Sequence, residues 1–319
     1  MAYKVSFDWT GTIGEVVLGA TKADGGTRSV SYRIGGGTTL PFLEGNPASP
    51  APLIAFEICD NPVYWSPIIR NYCGDITNTV TDWAKAAEHS YGADMVRLYL
   101  TSTRQRNFSD IPSARKTVEA VLSATTLPLI IEGSNEPKID SEVFLACGEA
   151  GQGERLLLGT AEASRYRSIA AAALAYNHSV IAQSPIDINL AKQLNILLKE
   201  IGVQRDHVII DPYTGALGYG FEYSYSAMER IHYSALKGDT DLAMPMICSA
   251  VDTLTIKEVR EADAARQDEM AVQWELATGL ASAAAGAEII CVRHPNTIPL
   301  LRAAFADMKK GSRPLGEVP

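Results

Sequence analysis

Ser179-Val-Ile-Ala-Gln-Ser-Pro-Ile-Asp-Ile-Asn-Leu-Ala-Lys-Gln-Leu-Asn-Ile-Leu-Leu-Lys-Glu-Ile-Gly202 decides the fold. Ser179 to Gln183 is a short, almost wholly apolar run, the pattern of a strand buried on both faces. From Ile188 to Ile201 the period changes. Leu190, Leu194, Leu197, Leu198 and Ile201 fall at i, i+4, i+7, i+8 and i+11, one apolar stripe on a helix. Asp187 is placed to cap its N-terminus and Gly202 its C-terminus. A buried strand followed by an amphipathic helix is one unit of a parallel sheet with crossover helices.

The same unit recurs along the chain. Strands are expected at Leu53–Ile58, Met95–Leu100, Pro128–Glu132, Arg155–Gly159, Ser179–Gln183, His207–Asp211, Ala243–Ile247 and Glu288–Arg293. Helices follow at Thr77–Tyr91, Pro112–Ala124, Asp140–Ala150, Ala163–Tyr176, Ile188–Ile201, Tyr223–Leu236, Asp268–Ala285 and Thr297–Lys309. Eight such units fit a TIM (β/α)8 barrel, expected over residues 53–319. An open doubly wound sheet more often has a Gly-rich first turn, and none follows Leu53–Ile58. Residues 1–52 read differently. Lys4–Phe7 and Ser29–Ile34 alternate like half-exposed strands between Gly-rich turns, and Pro41, Pro47, Pro50 and Pro52 mark an extended linker. An N-terminal β-hairpin extension is expected there.

Composition narrows the function. The 319 residues carry 28 Lys and Arg against 37 Asp and Glu, a net charge of −9, which argues against a nucleic-acid groove. The N-terminus has no basic region followed by an apolar run. The longest uncharged stretch, Ser168–Ile186, is broken by polar residues and Pro185. No membrane span is expected, and the location is read as cytoplasmic. The five cysteines are scattered with no Cys-x-x-Cys, so neither an iron–sulfur cluster nor a disulfide framework is expected.

Sharp catalytic motifs are missing. Ser113-Ala-Arg-Lys116 matches Ser-x-x-Lys but opens an amphipathic helix away from any partner motif. Glu229-Arg-Ile-His232 matches a carboxylate–metal spacing that di-iron sites need twice. Gly215-Ala-Leu-Gly218-Tyr-Gly220 has the wrong glycine order for a dinucleotide site and follows the sixth strand. No catalytic residue and no metal ligand is assigned. In a barrel, function gathers where strands end, and two such loops stand out. Glu132-Gly-Ser-Asn135-Glu-Pro137 carries a carboxylate and an amide. Asp211-Pro-Tyr-Thr-Gly-Ala-Leu-Gly-Tyr-Gly-Phe221 has no charge after Asp211. Its Tyr213, Leu217, Tyr219 and Phe221 are costly to leave in water, so a partner or ligand face is expected to cover some of them.

That loop, with Glu222-Tyr-Ser-Tyr-Ser-Ala-Met-Glu-Arg230 and Met244-Pro-Met-Ile-Cys-Ser249, resembles the small subunit of the corrinoid iron–sulfur protein. In methanogens that family is the delta subunit of acetyl-CoA decarbonylase/synthase. The likeness runs from about residue 50 to the C-terminus. It implies a TIM barrel paired with a large corrinoid iron–sulfur subunit, which supplies a corrinoid (cobalamin) at the interface and alone holds the iron–sulfur cluster. It implies passage of a methyl group from methyltetrahydrofolate, through a methyltetrahydrofolate methyltransferase, to acetyl-CoA synthase; in methanogens the donor is a tetrahydromethanopterin-type pterin. The residues expected to face the cofactor are Asn135, Gln183, Asp211, Thr214, Gly215, Ala216, Leu217, Gly218 and Tyr219. The chain lacks the Asp-x-His-x-x-Gly of many cobalamin domains, which fits a cofactor held by the partner. The family is also similar to pterin-dependent methyltransferase barrels, whose pterin loop Glu132–Pro137 echoes. The alternative is therefore a corrinoid methyltransferase with its own barrel-mouth site, anchored by Asn135 and Asp211. An unrelated barrel enzyme for a phosphorylated metabolite lacks a Gly-rich phosphate loop after the seventh or eighth strand.

Overall fold

The computed structural model describes residues 9–41, 50–104, 110–134 and 137–310. Among the described residues ten strands form two sheets. β1 (Val16–Leu18) and β2 (Tyr32–Ile34) make an antiparallel pair. The other eight close into one parallel barrel: β3 (Leu53–Cys59), β4 (Met95–Tyr99), β5 (Leu129–Glu132), β6 (Leu157–Ala161), β7 (Ser179–Gln183), β8 (Val208–Asp211), β9 (Met246–Ser249) and β10 (Ala287–Val292). The barrel read from the strand–helix repeat is the fold observed.

The helices ring this barrel. They are α1 (Pro67–Cys73), α2 (Val80–His89), α3 (Ile111–Ala124), α4 (Pro137–Ala150), α5 (Tyr166–Tyr176), α6 (Ile188–Glu200), α7 (Phe221–Leu236), α8 (Lys257–Arg260), α9 (Gln267–Ala284) and α10 (Thr297–Lys310). Asp187 caps α6, its carboxylate accepting the Asn189 N–H at 2.7 Å. The outward faces of the strands pack against the helices in one large cluster that includes Phe56, Leu98, Phe144, Leu158 and Leu301.

Side chains on a strand alternate between faces, so each barrel strand also sends residues inward. The inward layer near the strand starts is apolar: Ala55, Met95, Ile130, Leu157, Ile181, Ile209, Ile247 and Ile289 share one cluster. Val16, Leu18 and Ile34 of the hairpin belong to the same cluster, with Val16 and Leu18 fully buried. The hairpin thus plugs the N-terminal end of the barrel. Two positions further along the strands come Glu57, Arg97, Glu132, Gln183, Asp211 and Ser249, and this layer is polar.

Several boundaries differ from the sequence reading. The hairpin strand that pairs with Tyr32–Ile34 is Val16–Leu18; Lys4–Phe7 lies outside the described residues, as does 42–49 of the linker. Close approach selects glycine beside it: a Cβ on Gly35 (φ +96°) would stand 1.9 Å from the Gly14 carbonyl oxygen. β6 starts at Leu157 rather than Arg155, whose φ of +49° is incompatible with a strand. The connection from β9 to α9 is not a simple turn but includes a 3-10 turn at Val251–Thr255 and the short α8.

Candidate functional site

The polar layer forms the floor of a cavity of about 170 Å³ at the C-terminal mouth of the barrel. Strand register explains the assembly. Glu57 lies beside Arg97, Tyr99 beside Glu132 and Gln183 beside Asp211 on neighbouring strands. Tyr213, Thr214, Val251, Asp252 and Arg293 complete the wall from the loops.

The charges are organised as a chain of ion pairs. Arg97 Nη1 meets Glu57 Oε2 at 2.7 Å and donates to Ser249 Oγ at 2.7 Å, while Nη2 donates to Glu132. Arg293 reaches the other oxygen of Glu57 through Nε at 2.7 Å and Nη2 at 2.6 Å, and its guanidinium stacks 4.3 Å from the Trp65 ring centre. Burial disfavours a charge on Arg97, but Glu132 and Glu57 more than offset it and hold the guanidinium protonated. Burial likewise opposes the charge on Arg293, and Glu57 overcomes it. Burial pushes the Glu132 carboxyl up against the pull of Arg97. It does the same to Asp211, against hydrogen bonds from Gln183 Nε2 and the Tyr213 N–H, both at 2.8 Å.

A second buried carboxyl pins the loop that delivers Arg293. Glu275 of α9 is fully buried and accepts from the N–H of Arg293 at 2.7 Å, the N–H of His294 at 3.1 Å and the Thr297 hydroxyl at 2.7 Å. Burial raises it to about 7 despite these bonds.

The residues expected to face a cofactor divide into groups. Gln183, Asp211 and Thr214 line the cavity. The Thr214 hydroxyl also accepts the Ser249 N–H at 3.2 Å and ties the loop to β9. Gly215, Ala216, Leu217, Gly218 and Tyr219 are not among the described residues lining the cavity; they form the loop beside it. Ala216 is buried, and Leu217 packs against the main core rather than standing free. Phe221 is buried too, so two of the four apolar side chains expected at the surface have found cover within the chain. Gly218 takes φ +79°, a left-handed conformation that favours glycine, as the loop passes the Trp274 ring of α9. Tyr213 and Tyr219 remain 43% and 51% exposed, with the Tyr219 hydroxyl bonded to Glu258 of α8 at 2.7 Å. Asn135 lies outside the described residues.

Arg97 was not singled out from sequence, because a charge inside an apolar strand reads as an exception in an otherwise buried run. The sequence shows only that Glu57 and Arg97 are opposite charges within neighbouring apolar runs; their equal depth comes from the strand register.

Two backbone positions at this rim are unusual. Ile186 (φ +58°) and Tyr213 (φ +62°) adopt the left-handed region, which a β-branched or bulky residue rarely enters. The Ile186 N–H donates to the Pro212 carbonyl at 3.0 Å, so the two strained loops brace each other. Among the described residues no group of three or more His, Cys, Asp or Glu is placed to hold a metal ion, and the five cysteines are free and buried. No helix among them is long and apolar enough to cross a membrane.

Comparison with known proteins adds to this geometry. The barrel resembles dihydropteroate synthase from Xanthomonas albilineans, with a TM-score of 0.56, 17% identity, and 84% of this chain and 95% of that one covered. It also resembles a dihydropteroate synthase from Coxiella burnetii solved in complex with pteroic acid, with a TM-score of 0.57, 13% identity, and 82% and 94% covered. At such identities the likeness concerns the fold. Sequence similarity goes further. The chain is 35% identical over 307 residues to the acetyl-CoA decarbonylase/synthase complex subunit delta 1 of Methanosarcina thermophila, covering 92% of this chain and 70% of that one. It is 36% identical over 299 residues to the delta subunit of Methanothermobacter thermautotrophicus, covering 92% and 75%. Residues 15–285 match the family model of the CO dehydrogenase/acetyl-CoA synthase delta subunit. With that match spanning the plug and nearly the whole barrel, the chain belongs to the delta-subunit family of the acetyl-CoA decarbonylase/synthase complex.

Proposed function

We propose that this chain is the small subunit of a corrinoid methyl carrier. Its barrel mouth covers a corrinoid that a large corrinoid iron–sulfur subunit holds. The assembly accepts a methyl group from methyltetrahydrofolate through a separate methyltransferase and passes it to acetyl-CoA synthase. The observation that carries this reading is the rim: an uncharged loop presents exposed Tyr213 and Tyr219 beside a cavity of about 170 Å³. Pockets that enclose a drug-sized ligand run to roughly 300–1,000 Å³. A cavity below that range suits one side of an interface better than a complete site, which disfavours a stand-alone pterin-dependent methyltransferase.

The residues fit a flat, partner-held ring. When bound, the corrinoid supplies a cobalt centre able to carry a methyl group. The chain's own residues cover and orient it. Tyr213 and Tyr219 offer ring faces and edges at the rim, the ion-paired floor is rigid, and the Thr214–Ser249 bond fixes the loop. No group in the chain is assigned a catalytic role, and the cytoplasm is the compartment this reading assigns.

The test is reconstitution. The chain mixed with the large subunit should elute as a stoichiometric complex and accelerate methylation of the corrinoid by the methyltransferase. The isolated chain should carry no stoichiometric cobalt or iron by elemental analysis. Stoichiometric corrinoid in the isolated chain, or methylation indifferent to its presence, would overturn the reading.

A further inference from the structure

Glu275 holds one turn of the chain by three hydrogen bonds. Its Oε1 accepts the Arg293 N–H at 2.7 Å, and its Oε2 accepts the His294 N–H at 3.1 Å and the Thr297 hydroxyl at 2.7 Å. All three donors lie where β10 passes into α10, so one side chain of α9 fixes the turn that carries Arg293 to the mouth. Glu275 is 0% exposed, and among the described residues no Lys, Arg or His forms an ion pair with it. The Arg293 guanidinium is committed to Glu57 instead, through Nε at 2.7 Å and Nη2 at 2.6 Å.

Such a site distinguishes a carboxylate from a carboxylic acid. As a carboxylate, Glu275 matches three donors. As an acid it carries an O–H that needs an acceptor, and two of its three partners are backbone N–H groups, which accept nothing. Only the Thr297 oxygen can turn to receive the proton, and its hydroxyl then stops holding the turn. The two N–H bonds also weaken, because bonds to an ionised acceptor are roughly twice as strong as neutral ones. Burial without an ion pair brings this change to about pH 7. The groups around the turn differ. His294 accepts the Asn296 N–H through Nδ1 at 3.2 Å, its Nε2 lies 3.7 Å from Asp268 of α9, its ring stands 4.5 Å from that of Tyr72 of α1, and burial lowers its pKa. Arg293 also faces Asp252 and Cys59, and burial pushes both of those groups up.

We propose that Glu275 is a positioning residue that works as a proton-sensitive latch: ionised, it locks the β10–α10 turn and seats Arg293 on Glu57, and protonated, it releases both. Only the latched form presents a rigid ion-paired floor at the mouth. The consequence for assembly rests on the partner-subunit reading above; the latch itself is a property of the isolated chain.

The first arm therefore uses the isolated chain. Hydrogen exchange at the Arg293 side-chain Nε–H, assigned by its loss in Arg293→Lys, is followed by NMR from pH 5.5 to 8.5 and corrected for its intrinsic pH dependence. A single group with its midpoint at pH 7 passes from about 9% to about 91% protonated between pH 8 and pH 6, so protection should drop about tenfold over that interval. Glu275→Gln, whose amide cannot ionise, should show low protection throughout and no step. Thr297→Ala, a smaller perturbation, should keep the step and move it to higher pH, since it removes a bond to the charged form. Glu288→Gln, at the barrel base, should keep the wild-type profile. A step that survives Glu275→Gln belongs to another group such as His294 and overturns the proposal; so does a step unmoved in Thr297→Ala. The second arm measures affinity for the large subunit by calorimetry at pH 6 and pH 8. The ratio of wild-type to Glu275→Gln affinity, in which the partner's own titration cancels, should rise about tenfold from pH 6 to pH 8. A constant ratio overturns the proposed link to assembly. Absence of binding by either protein at both pH values overturns the partner-subunit reading, and the exchange profile then still decides the latch.

Discussion

Replacing Glu288 by Gln should stabilise the protein, and only above a definite pH. Glu288 lies on β10 beneath the hairpin plug. Its carboxyl accepts backbone N–H groups from Met246 and from Gly35, just after β2, and its Oε2 is buried without a partner. Burial raises its pKa from 4.5 to about 8. The folded chain therefore keeps a proton that the unfolded chain releases above pH 4.5. Stability falls with rising pH across that window, by about 1.4 kcal/mol per unit, and levels off above pH 8. The ceiling is roughly 5 kcal/mol, and residual exposure reduces it to about 2–3 kcal/mol. Glutamine keeps an acceptor for both N–H groups and has no proton to lose. The difference in stability between Glu288→Gln and wild type should be near zero at pH 5, grow through pH 7 and plateau above pH 8. His232 lines the same small cavity and burial lowers its pKa, but that shift is common to both proteins and cancels. Urea midpoints at half-unit pH steps measure this directly; in thermal melts about 2 °C per kcal/mol is expected. A stability difference that is flat from pH 5 to 9 would refute the assignment of a buried neutral carboxyl.

Other changes probe the rim and the plug. Tyr213→Glu or Tyr219→Glu should weaken assembly with the large subunit by about 2 kcal/mol, the scale of an interface hot spot, while the isolated chain's urea midpoint barely moves; an unaffected complex removes these residues from the interface. Leu217→Glu should instead destabilise the isolated chain, because Leu217 packs against the core. Arg28→Met breaks a buried pair with Glu154 (2.8 Å) and bonds to the carbonyls of Leu122, Thr125 and Leu127 at the barrel base, so a loss of about 3 kcal/mol is expected in denaturant unfolding. Ile186→Gly should leave the isolated chain as stable or more stable, since glycine adopts φ +58° without strain; a loss above about 1 kcal/mol would show that the side chain packs more than its exposure implies.

Much of the fold was legible because burial leaves a periodic trace. The eight barrel strands appear as short apolar runs and the helices as stripes, and Asp187 marks its helix start as expected. The loop from Asp211 to Phe221 stood out by its missing charge, and Gln183, Asp211 and Thr214 do meet at the mouth. What the sequence could not show is which strand residues face inward at equal height. Arg97 is one charge in Met95–Tyr99 until closure of the barrel places it between Glu57 and Glu132. The split within the loop follows side-chain chemistry: Leu217 and Phe221, wholly apolar, are covered within the chain, while Tyr213 and Tyr219 keep their hydroxyl-bearing rings at the surface, and only the packing of the loop shows which of them finds cover.

By itself, then, the sequence determined the strand–helix order, the barrel and the loop that marks the family, because these follow from local period and capping. Only the tertiary structure decided the plug and the ion-paired floor. The N-terminal hairpin fills the barrel base because its Val16, Leu18 and Ile34 complete an apolar layer that the strands leave open. The mouth is polar because residues two positions further on, distant in sequence, converge at one depth, where each charge is tolerated only beside its partner.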